Sequence, residues 1–508
     1  MNPYYFTEEH KLFRDSLRSF LHKEVVPHID QWEEDHRIPR DIWKKMGEMG
    51  FLGLSFPEEY GGANLDFFYD VIFSEEVSRV HSGGFAIVQN VVQYMSAPYI
   101  LKHGTEHLKK KYLPGIISGE TISSVGISEP TAGSDAANIK TTAMLEGDHY
   151  IVNGSKTFIT NAVYGDIMVT VVKTDPDAGP AGVSLLLMEL DAEGVSRTKL
   201  KKLGWHASDT AELAFDNVKV PKENLIGEEG RGFYYLMGGL QLERLVGAVM
   251  GYAACEAAME YTLKYMAERH AFGRPINKFQ VLRHRMADLA TEIEACKQFV
   301  LYCSKLNDDG KYAVKECSMA KLLASELSDK VMYQCLQSFG GYGFMEEYKI
   351  ARMFRDSRVG TIGGGSSEIM REIIAKMVID DVSYQEAGAS PAVASNGHSN
   401  GHSNGNGNGN GKMKALLATV QEKAAKADSL GNSLKFNFGD NQLYIDGTEG
   451  ANVVSTDDKE ADCLVEVSYD DFISLTKGEL NPMSAVMTGK VKIKGNMGVA
   501  MKLQSLFG

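Results

Sequence analysis

The chain has 508 residues, of which 44% are hydrophobic and 24% charged, and acidic residues outnumber basic ones by 67 to 53. This composition is that of an ordinary globular protein and excludes a fibrous or wholly disordered chain. The net charge of -14 argues against a nucleic-acid-binding protein, which needs a basic face to meet phosphates. At roughly 100–200 residues per domain, the length predicts three or four domains.

The six cysteines show no Cys-x-x-Cys spacing. We therefore expect reduced thiols in the core rather than a zinc site or a disulfide framework, and we assign no metal site. Acidic residues interrupt the first 24 residues, unlike a signal or transit peptide, and the last three residues are not the peroxisomal signal. No apolar run reaches about 18 residues. We therefore expect a cytoplasmic protein that has no membrane span.

Residues 1–120 are predicted to be helical. Thr7 is predicted to cap the first helix, because Glu8 and Glu9 follow it and apolar residues then recur at helical spacing as far as Leu21.

Residues 121–229 are predicted to form strands. Two β-rich segments, 150–152 and 157–160, flank Asn153-Gly154, a pair that is typical of a two-residue hairpin turn. We therefore expect a β-hairpin whose turn lies at Asn153-Gly154.

Residues 230–382 are predicted to return to long helices, and antiparallel neighbours with short loops favour a four-helix bundle.

Residues 383–411 are predicted to form a flexible linker. Its last part, 395–411, reads SNGHSNGHSNGNGNGNG and has no apolar side chain to bury. Residues 412–508 then form a separate C-terminal module.

Residues 126–138 read GISEPTAGSDAAN, a loop in which backbone N–H groups and hydroxyls are concentrated. Such a loop can hold an anion or the polar edge of a planar ring, although alone it is more often a plain turn. Four further segments follow in order: NGSKTFITN (153–161), ERHAFGRPINKFQ (268–280), QSFGGYGF (337–344) and RDSRVGTIGGGSSEIMRE (355–372). With these segments, residues 1–380 resemble the acyl-CoA dehydrogenase family.

The resemblance implies a fold with an N-terminal α-helical domain (1–120), a middle β domain (121–229) and a C-terminal four-helix bundle (230–382). It also implies a bound FAD between the β domain and the bundle, and oxidation of an acyl-CoA to the trans-2-enoyl-CoA. An electron-transfer flavoprotein is the implied electron acceptor. Because several FAD contacts in this family come from a second subunit, the resemblance also implies a homodimer or homotetramer.

By the same resemblance, Ser128 hydrogen-bonds the flavin ring, Phe158 packs on it and Thr160 hydrogen-bonds its N5 atom. Arg269 reaches the pyrophosphate of the FAD in a neighbouring subunit, where its planar donor fork suits phosphate oxygens. The other implied cofactor contacts are Ile127, Gly133, Ser134, Ile159, Phe272, Gln280, Gln337, Gly340, Gly341, Ser366 and Glu368.

The reaction requires a base for the α-proton of the thioester, and a carboxylate in an apolar pocket suits this role. In most relatives the base is a Glu in a Tyr-Glu-Gly-Thr segment, but this chain has Gly364 there. Long-chain and isovaleryl members carry it instead on a bundle helix, before an arginine. The resemblance therefore implies that Glu243, followed by Arg244, is the base. The implied substrate contacts are Ser134, Gln241, Arg244, Gly364, through its backbone N–H, and Gly365.

Segments 202–221, 316–327 and 362–376 look most like the long-chain branch, which favours a long or medium-long straight acyl chain. A short branched substrate of the isovaleryl kind is the alternative. A catalytically inactive lipid carrier or scaffold is the rival from another class, and Glu243 argues against it. An oxidase that passes electrons to oxygen is a third hypothesis.

The C-terminal module contains segments with the alternation of half-buried strands: Val465 and Val467 alternate with polar neighbours, as do Val491 and Ile493. The run from 471 to 497 resembles the sterol carrier protein type 2 domain, and the match covers the whole module. That family has an α/β fold around an apolar tunnel and binds fatty acids, fatty acyl-CoA and sterols. The resemblance therefore implies a lipid- or acyl-CoA-binding module, to which we assign no catalytic residue.

Overall fold

The structure is a computed structural model that describes residues 2–380 continuously. Beyond them it describes residues 382, 384, 420–421, 424, 431–438, 442–448, 452–455, 459, 461–468, 471–473 and, for the backbone alone, 491–495. The chain divides into two compact units, Met1–Ala392 and Val393–Gly508. The glycine-rich part of the predicted linker, 395–411, lies outside the described residues.

The N-terminal part is helical, as predicted. Its α-helices are α1 (Glu8–Glu24), α2 (Ile29–Asp35), α3 (Arg40–Glu48), α4 (Phe67–Ser78), α5 (Gly83–Asn90), α6 (Ala97–His103) and α7 (Glu106–Ile117). The predicted cap is confirmed, because the Thr7 hydroxyl accepts a hydrogen bond from the His10 N–H at 3.4 Å. A π-helical turn, Val91–Ser96, leads into α6, and such turns are frequent near functional sites.

The middle part is a sheet of eight strands. They are β1 (Ser123–Gly126), β2 (Thr142–Glu146), β3 (His149–Thr160), β4 (Ile167–Lys173), β5 (Val183–Glu189), β6 (Val195–Lys199), β7 (Thr210–Pro221) and β8 (Leu225–Ile226). Their order is β6-β7-β3-β2-β4-β5-β8, and β1 pairs in parallel with β4. Strands β4 and β5 are buried along nearly their whole length, and both strands contribute side chains to each of two hydrophobic core clusters.

The predicted hairpin at Asn153-Gly154 is wrong, because β3 runs through both residues without turning. The turn lies earlier, where Glu146 pairs with His149 and Gly147 has a φ of +61°. Gly154 instead marks a bulge in the pairing with β7, at a φ of +143°. A Cβ there would lie 2.7 Å from the Thr141 Cα, so the close approach of the two segments requires glycine.

The third part returns to helices. Its elements are α8 (Gly232–Glu268), the small hairpin of β9 (His270–Ala271) and β10 (Arg274–Pro275), α9 (Gln280–Asp308), α10 (Val314–Phe339), α11 (Lys349–Ser357) and α12 (Ser367–Val378). Helix α10 packs against α8, α9 and α12, as expected for the bundle. It approaches α8 closely, since a Cβ on Gly251 would lie 3.2 Å from the Ala324 Cβ.

Five of the six cysteines lie in α8–α10, and all six are free and buried, as predicted.

The described residues of the second unit form a five-stranded sheet. Its strands are β11 (Ser433–Asn437), β12 (Gln442–Asp446), β13 (Val453–Ser455), β14 (Cys463–Val467) and β15 (Val491–Gly495), in the order β13-β12-β11-β14-β15. The predicted alternation along β14 is confirmed, because Cys463, Val465 and Val467 are buried while Leu464 and Glu466 are only half-buried. Among the helices that the structure describes, none is both long and apolar enough to cross a membrane.

Candidate active site

Glu243 is a buried carboxyl group on α8. It is 7% exposed, and the apolar residues Leu245 and Val246 that follow on the helix are buried almost completely. Burial raises the pKa of Glu243 to about 7, although a hydrogen bond from Tyr99 and the charge of Arg244 act in the opposite direction. A carboxyl group whose pKa lies near 7 can accept a proton efficiently at neutral pH.

Tyr99 on α6 is the hydrogen-bond partner of this carboxyl group. Its hydroxyl donates to Oε1 of Glu243 at 3.0 Å and lies 3.4 Å from the carbonyl oxygen of Leu236. Gly239 makes this approach possible, because a Cβ there would lie only 2.3 Å from the Tyr99 hydroxyl oxygen. No donor among the described residues is hydrogen-bonded to the second carboxyl oxygen, Oε2, which leaves that atom for a ligand.

Both partners of this contact are largely shielded from solvent, since Tyr99 is 3% and Glu243 7% exposed. A cavity of about 30 Å³ adjoins it, with Tyr94, Tyr99, Tyr235 and Leu242 in its wall. This volume holds a water molecule but not an acyl chain. Because both partners are buried, the hydrogen bond between Tyr99 and Glu243 lies in surroundings of low polarity, where a hydrogen bond to a charged group is strengthened.

Two predicted substrate contacts on α8 carry buried polar atoms without partners. Gln241 and Arg244 are 6% and 7% exposed. Oε1 of Gln241 and Nε of Arg244 have no hydrogen-bond partner within the described part of the chain. Since buried polar groups are normally satisfied, these two orphaned atoms fit a site that is completed by a polar ligand.

The glycine-rich loop before α12 holds the predicted Gly364 and Gly365, at φ values of +64° and +93°. Lys321 on α10, which is 5% exposed, donates a hydrogen bond to the Gly365 carbonyl at 2.5 Å. Ser366 then caps α12 by accepting from the Ile369 N–H at 3.4 Å. Both contacts hold the end of the loop that adjoins α12. Apart from its chain neighbours, no heavy atom of the described residues would lie within 4 Å of a Cβ on Gly364.

The first two sequence motifs are joined by direct contacts. The Thr157 N–H donates to the Ser128 carbonyl at 2.9 Å, and the Lys156 ammonium donates to the Ile127 carbonyl at 3.1 Å. Lys156 also lies 2.8 Å from Glu129, and both side chains are almost completely buried. These contacts set the 126–138 loop beside the end of β3. Gly133 and Ser134 lie on the exposed part of this loop.

Phe158 is the exposed aromatic residue of this region. Its ring is 72% exposed and its φ is +63°, at the point where the register between β3 and β7 shifts. A bulky residue in the left-handed region is strained, and strain of this kind concentrates at functional sites. The next residue, Ile159, is buried in the sheet core, so that only its backbone is available to a ligand, and Thr160 is half-buried.

The remaining predicted cofactor residues lie at the far end of α8 and beyond it. Arg269 ends α8, and its guanidinium lies 5.4 Å from the centre of the Tyr342 ring, which joins the third and fourth motifs. Phe272 is 95% exposed at a φ of +51°. Gln280, Gln337, Gly340, Gly341 and Glu368 are exposed as well.

These features fit a bound FAD. A strained, exposed phenyl ring offers an apolar face to a planar ring system, and the neighbouring loop offers N–H groups and hydroxyls to its polar edge. The exposed guanidinium of Arg269 can pair with phosphate oxygens. The sequence analysis missed four residues that support the site, which are Tyr99, Glu129, Lys156 and Lys321. Glu129 stands inside a quoted motif, whereas nothing in the sequence marks Tyr99.

Comparisons with known proteins agree with this reading. The family description "Acyl-CoA dehydrogenase, N-terminal domain" matches residues 7–120, the middle domain matches 124–218 and the C-terminal domain matches 230–379. The description "SCP-2 sterol transfer family" matches residues 413–508. Together, the three dehydrogenase matches span most of the first unit.

Two individual relatives are acyl-CoA dehydrogenases. The mitochondrial long-chain specific acyl-CoA dehydrogenase of Mus musculus is 40% identical over 381 residues, which cover 74% of this chain and 88% of the mouse protein. The mitochondrial isovaleryl-CoA dehydrogenase of Oryza sativa subsp. japonica is 37% identical over 374 residues, or 73% of this chain and 91% of the rice protein.

A solved structure, the acyl-CoA dehydrogenase from Geobacillus kaustophilus, matches with a TM-score of 0.72 and 46% identity, covering 74% of this chain and 99% of that one. The expected fold class, three dehydrogenase domains followed by a sterol-carrier-type domain, is thereby confirmed. The chain belongs to the acyl-CoA dehydrogenase family and is an FAD-dependent oxidoreductase with an SCP-2 sterol transfer domain at its C-terminal end.

Proposed function

We propose that Glu243 is the base of this acyl-CoA dehydrogenase and removes the α-proton of the thioester substrate. The observation that carries the proposal is the buried Glu243 carboxyl group, whose pKa is about 7 and which, within the described part of the chain, is hydrogen-bonded only at Oε1. The proton passes to Oε2, and the electron pair of the broken Cα–H bond forms the Cα=Cβ bond while the β-hydrogen leaves with its electron pair. The bound flavin supplies the oxidant that accepts this hydride.

Negative charge develops on the thioester oxygen as the α-proton leaves, and it needs a hydrogen-bond donor. We assign this role to the backbone N–H of Gly364. The open space around Gly364 and the anchoring of its loop by Lys321 support the assignment. The unpartnered polar atoms of Gln241 and Arg244 support their role as contacts to the CoA portion, together with Ser134 and Gly365.

The cofactor residues divide between two subunits in this proposal. Ile127, Ser128, Gly133, Ser134, Phe158, Ile159 and Thr160 contact the FAD of their own subunit, with Ser366 and Glu368. At about 1.5 Å per residue, Arg269 lies about 39 Å from Glu243 along α8, too far to reach an FAD that serves the same Glu243. Arg269, Phe272, Gln280, Gln337, Gly340 and Gly341 therefore contact the FAD of a second subunit, which makes the protein a homodimer or homotetramer.

The substrate is a straight acyl-CoA of long or medium-long chain. The identity of 40% to the mouse long-chain enzyme supports this choice. A short branched substrate is the second candidate, supported by the 37% identity to the rice isovaleryl-CoA dehydrogenase.

The electrons leave through an electron-transfer flavoprotein. The SCP-2 domain binds acyl-CoA or lipid and raises the supply of acyl-CoA to the dehydrogenase. A cytoplasmic location remains a prediction from the sequence.

Flavin bleaching under anaerobic conditions tests these proposals. Straight acyl-CoA thioesters of increasing length and isovaleryl-CoA are added to the purified flavoprotein, and the rate of loss of flavin absorbance is measured for each. We expect the fastest bleaching with long or medium-long straight chains. Fastest bleaching with isovaleryl-CoA would favour the second candidate, and no bleaching with any thioester would favour an inactive carrier. Hydrogen peroxide release at the rate of turnover in air would indicate an oxidase.

A further inference from the structure

The hydroxyl of Tyr99 makes the one recorded hydrogen bond to the Glu243 carboxyl group within the described residues, at 3.0 Å. Tyr99 belongs to α6 in the N-terminal part of the chain and Glu243 to α8, so the contact joins two parts of the first unit. The tyrosine is 3% exposed, and its position is therefore fixed by packing.

We propose that Tyr99 is a positioning residue for the reaction, which holds the Glu243 carboxylate by its Oε1 atom so that Oε2 faces the substrate. This inference rests on the proposed role of Glu243 as the base. A hydrogen bond donated to a carboxylate stabilises the charged form, so Tyr99 keeps the base ionised in surroundings that disfavour charge. The direction agrees with the pKa of Glu243, which the hydrogen bond from Tyr99 lowers and which burial raises.

The geometry also serves the protonated state of Glu243. After Glu243 has taken the proton, the carbonyl oxygen of Leu236, 3.4 Å from the Tyr99 hydroxyl, offers that hydroxyl an alternative acceptor. The buried hydroxyl therefore has a partner before and after proton transfer, so that neither state leaves an unsatisfied polar group.

Gly239 is part of the same arrangement. A methyl group at this position would lie 2.3 Å from the Tyr99 hydroxyl oxygen, so the tyrosine could not keep its place. In a helix interior, glycine otherwise destabilises relative to alanine. Gly239 therefore stabilises α8 less than alanine would, but it leaves room for the Tyr99 hydroxyl.

The test compares the pH dependence of anaerobic flavin reduction in the full-length flavoprotein and in its Tyr99→Phe variant. Phenylalanine keeps the ring and removes the donor. We expect the acid midpoint of the rate to move up by about one pH unit, which lowers the rate about tenfold below the midpoint. Gly239→Ala should move the midpoint in the same direction, because it displaces the hydroxyl without removing it.

Tyr252→Phe is the matched control. Tyr252 lies on α8, is completely buried and donates its hydroxyl to a carboxylate, Glu75, at 2.6 Å, but it lies outside the site. This variant should keep the wild-type midpoint. A wild-type midpoint in Tyr99→Phe, or a shift of equal size in Tyr252→Phe, would overturn the inference.

A readout independent of turnover completes the test. The protonated Glu243 carboxyl gives an infrared C=O band, identified as the band that is missing from Glu243→Gln, and its titration in Tyr99→Phe should shift upward like the rate. An unshifted titration would contradict the inference while leaving the base assignment intact. If Glu243→Gln reduces flavin at the wild-type rate, the base assignment itself fails, and the two failures are thereby distinguished.

Discussion

The ammonium group of Lys156 lies 2.8 Å from the carboxylate of Glu129, and both side chains are buried almost completely. The two residues belong to the first two sequence motifs. Glu129 also accepts hydrogen bonds from the backbone N–H groups of Lys140 and Thr141, at 2.6 and 3.0 Å. One carboxylate therefore fixes both ends of the 126–138 loop and ties the loop to β3.

The first prediction concerns this ion pair. Lys156→Met leaves the Glu129 charge buried without its cation, and breaking such a pair costs about 3–5 kcal/mol. We expect a lower Tm and purification with less FAD, because the loop loses its attachment to β3. Lys222→Met is the control, since it breaks an exposed pair with Asp148 in the same domain and should change both quantities far less. Equal effects of the two substitutions would contradict this account of the loop.

The second prediction concerns Phe158. Because its ring is 72% exposed, Phe158→Ala should hardly change the Tm of the flavin-free protein. If the ring packs on the flavin, its loss should weaken FAD binding about two- to thirteenfold, as expected for an aromatic contact of about 0.5–1.5 kcal/mol. Fluorescence titration with FAD measures the affinity. Leu145→Ala, which removes an exposed apolar side chain from β2 of the same sheet, should leave the affinity unchanged.

The architecture of the first unit could be predicted from the sequence because its patterns are local. The acids after Thr7 indicated the first helix, and long helical segments with short loops indicated the bundle. The hairpin at Asn153-Gly154 was wrong because the same dipeptide suits a turn and a bulge. The close approach of Thr141 and the pairing with β7, which decide between them, are contacts distant in sequence.

The candidate site also combines a residue that a local sequence pattern predicts with contacts between residues distant in sequence. Glu243 could be predicted by resemblance, because its segment is contiguous. The contact with Tyr99 spans 144 positions, and that of Lys321 with Gly365 spans 44, so no local pattern reports either one. Tyrosine and lysine in helices are also common residues, which makes their burial at the site visible only in three dimensions.

The third prediction concerns the SCP-2 domain. If it raises the supply of poorly soluble acyl-CoA through effective concentration, a chain that ends near residue 390 should retain FAD and oxidise soluble acyl-CoA almost normally. Its rate should fall only at low concentrations of long acyl chains or for substrate delivered from vesicles, and kcat/KM, measured for short and long chains, should fall for the long chains alone. An equal loss at every chain length would mean that the domain supports folding or assembly instead.

The fourth prediction moves the base. A side chain on Gly364 has open space, although a φ of +64° costs a residue other than glycine roughly 1–2 kcal/mol. If a carboxylate at position 364 reaches the same substrate carbon as Glu243, Gly364→Glu added to Glu243→Gln should restore part of the flavin reduction. The double variant with Gly364→Ala carries the same backbone strain without a carboxylate and should restore nothing. Equal rates in the two double variants would contradict the prediction.

The most direct test of the account is the rate of anaerobic flavin reduction in Glu243→Gln. The amide is nearly the same size as the carboxyl group but cannot accept the α-proton. We predict normal FAD content, normal acyl-CoA binding and flavin reduction slowed by at least about 100-fold. Glu260→Gln, on the exposed face of the same helix, should reduce its flavin at the wild-type rate. Near-normal reduction in Glu243→Gln, with FAD and substrate bound, would contradict the assignment of Glu243 as the base.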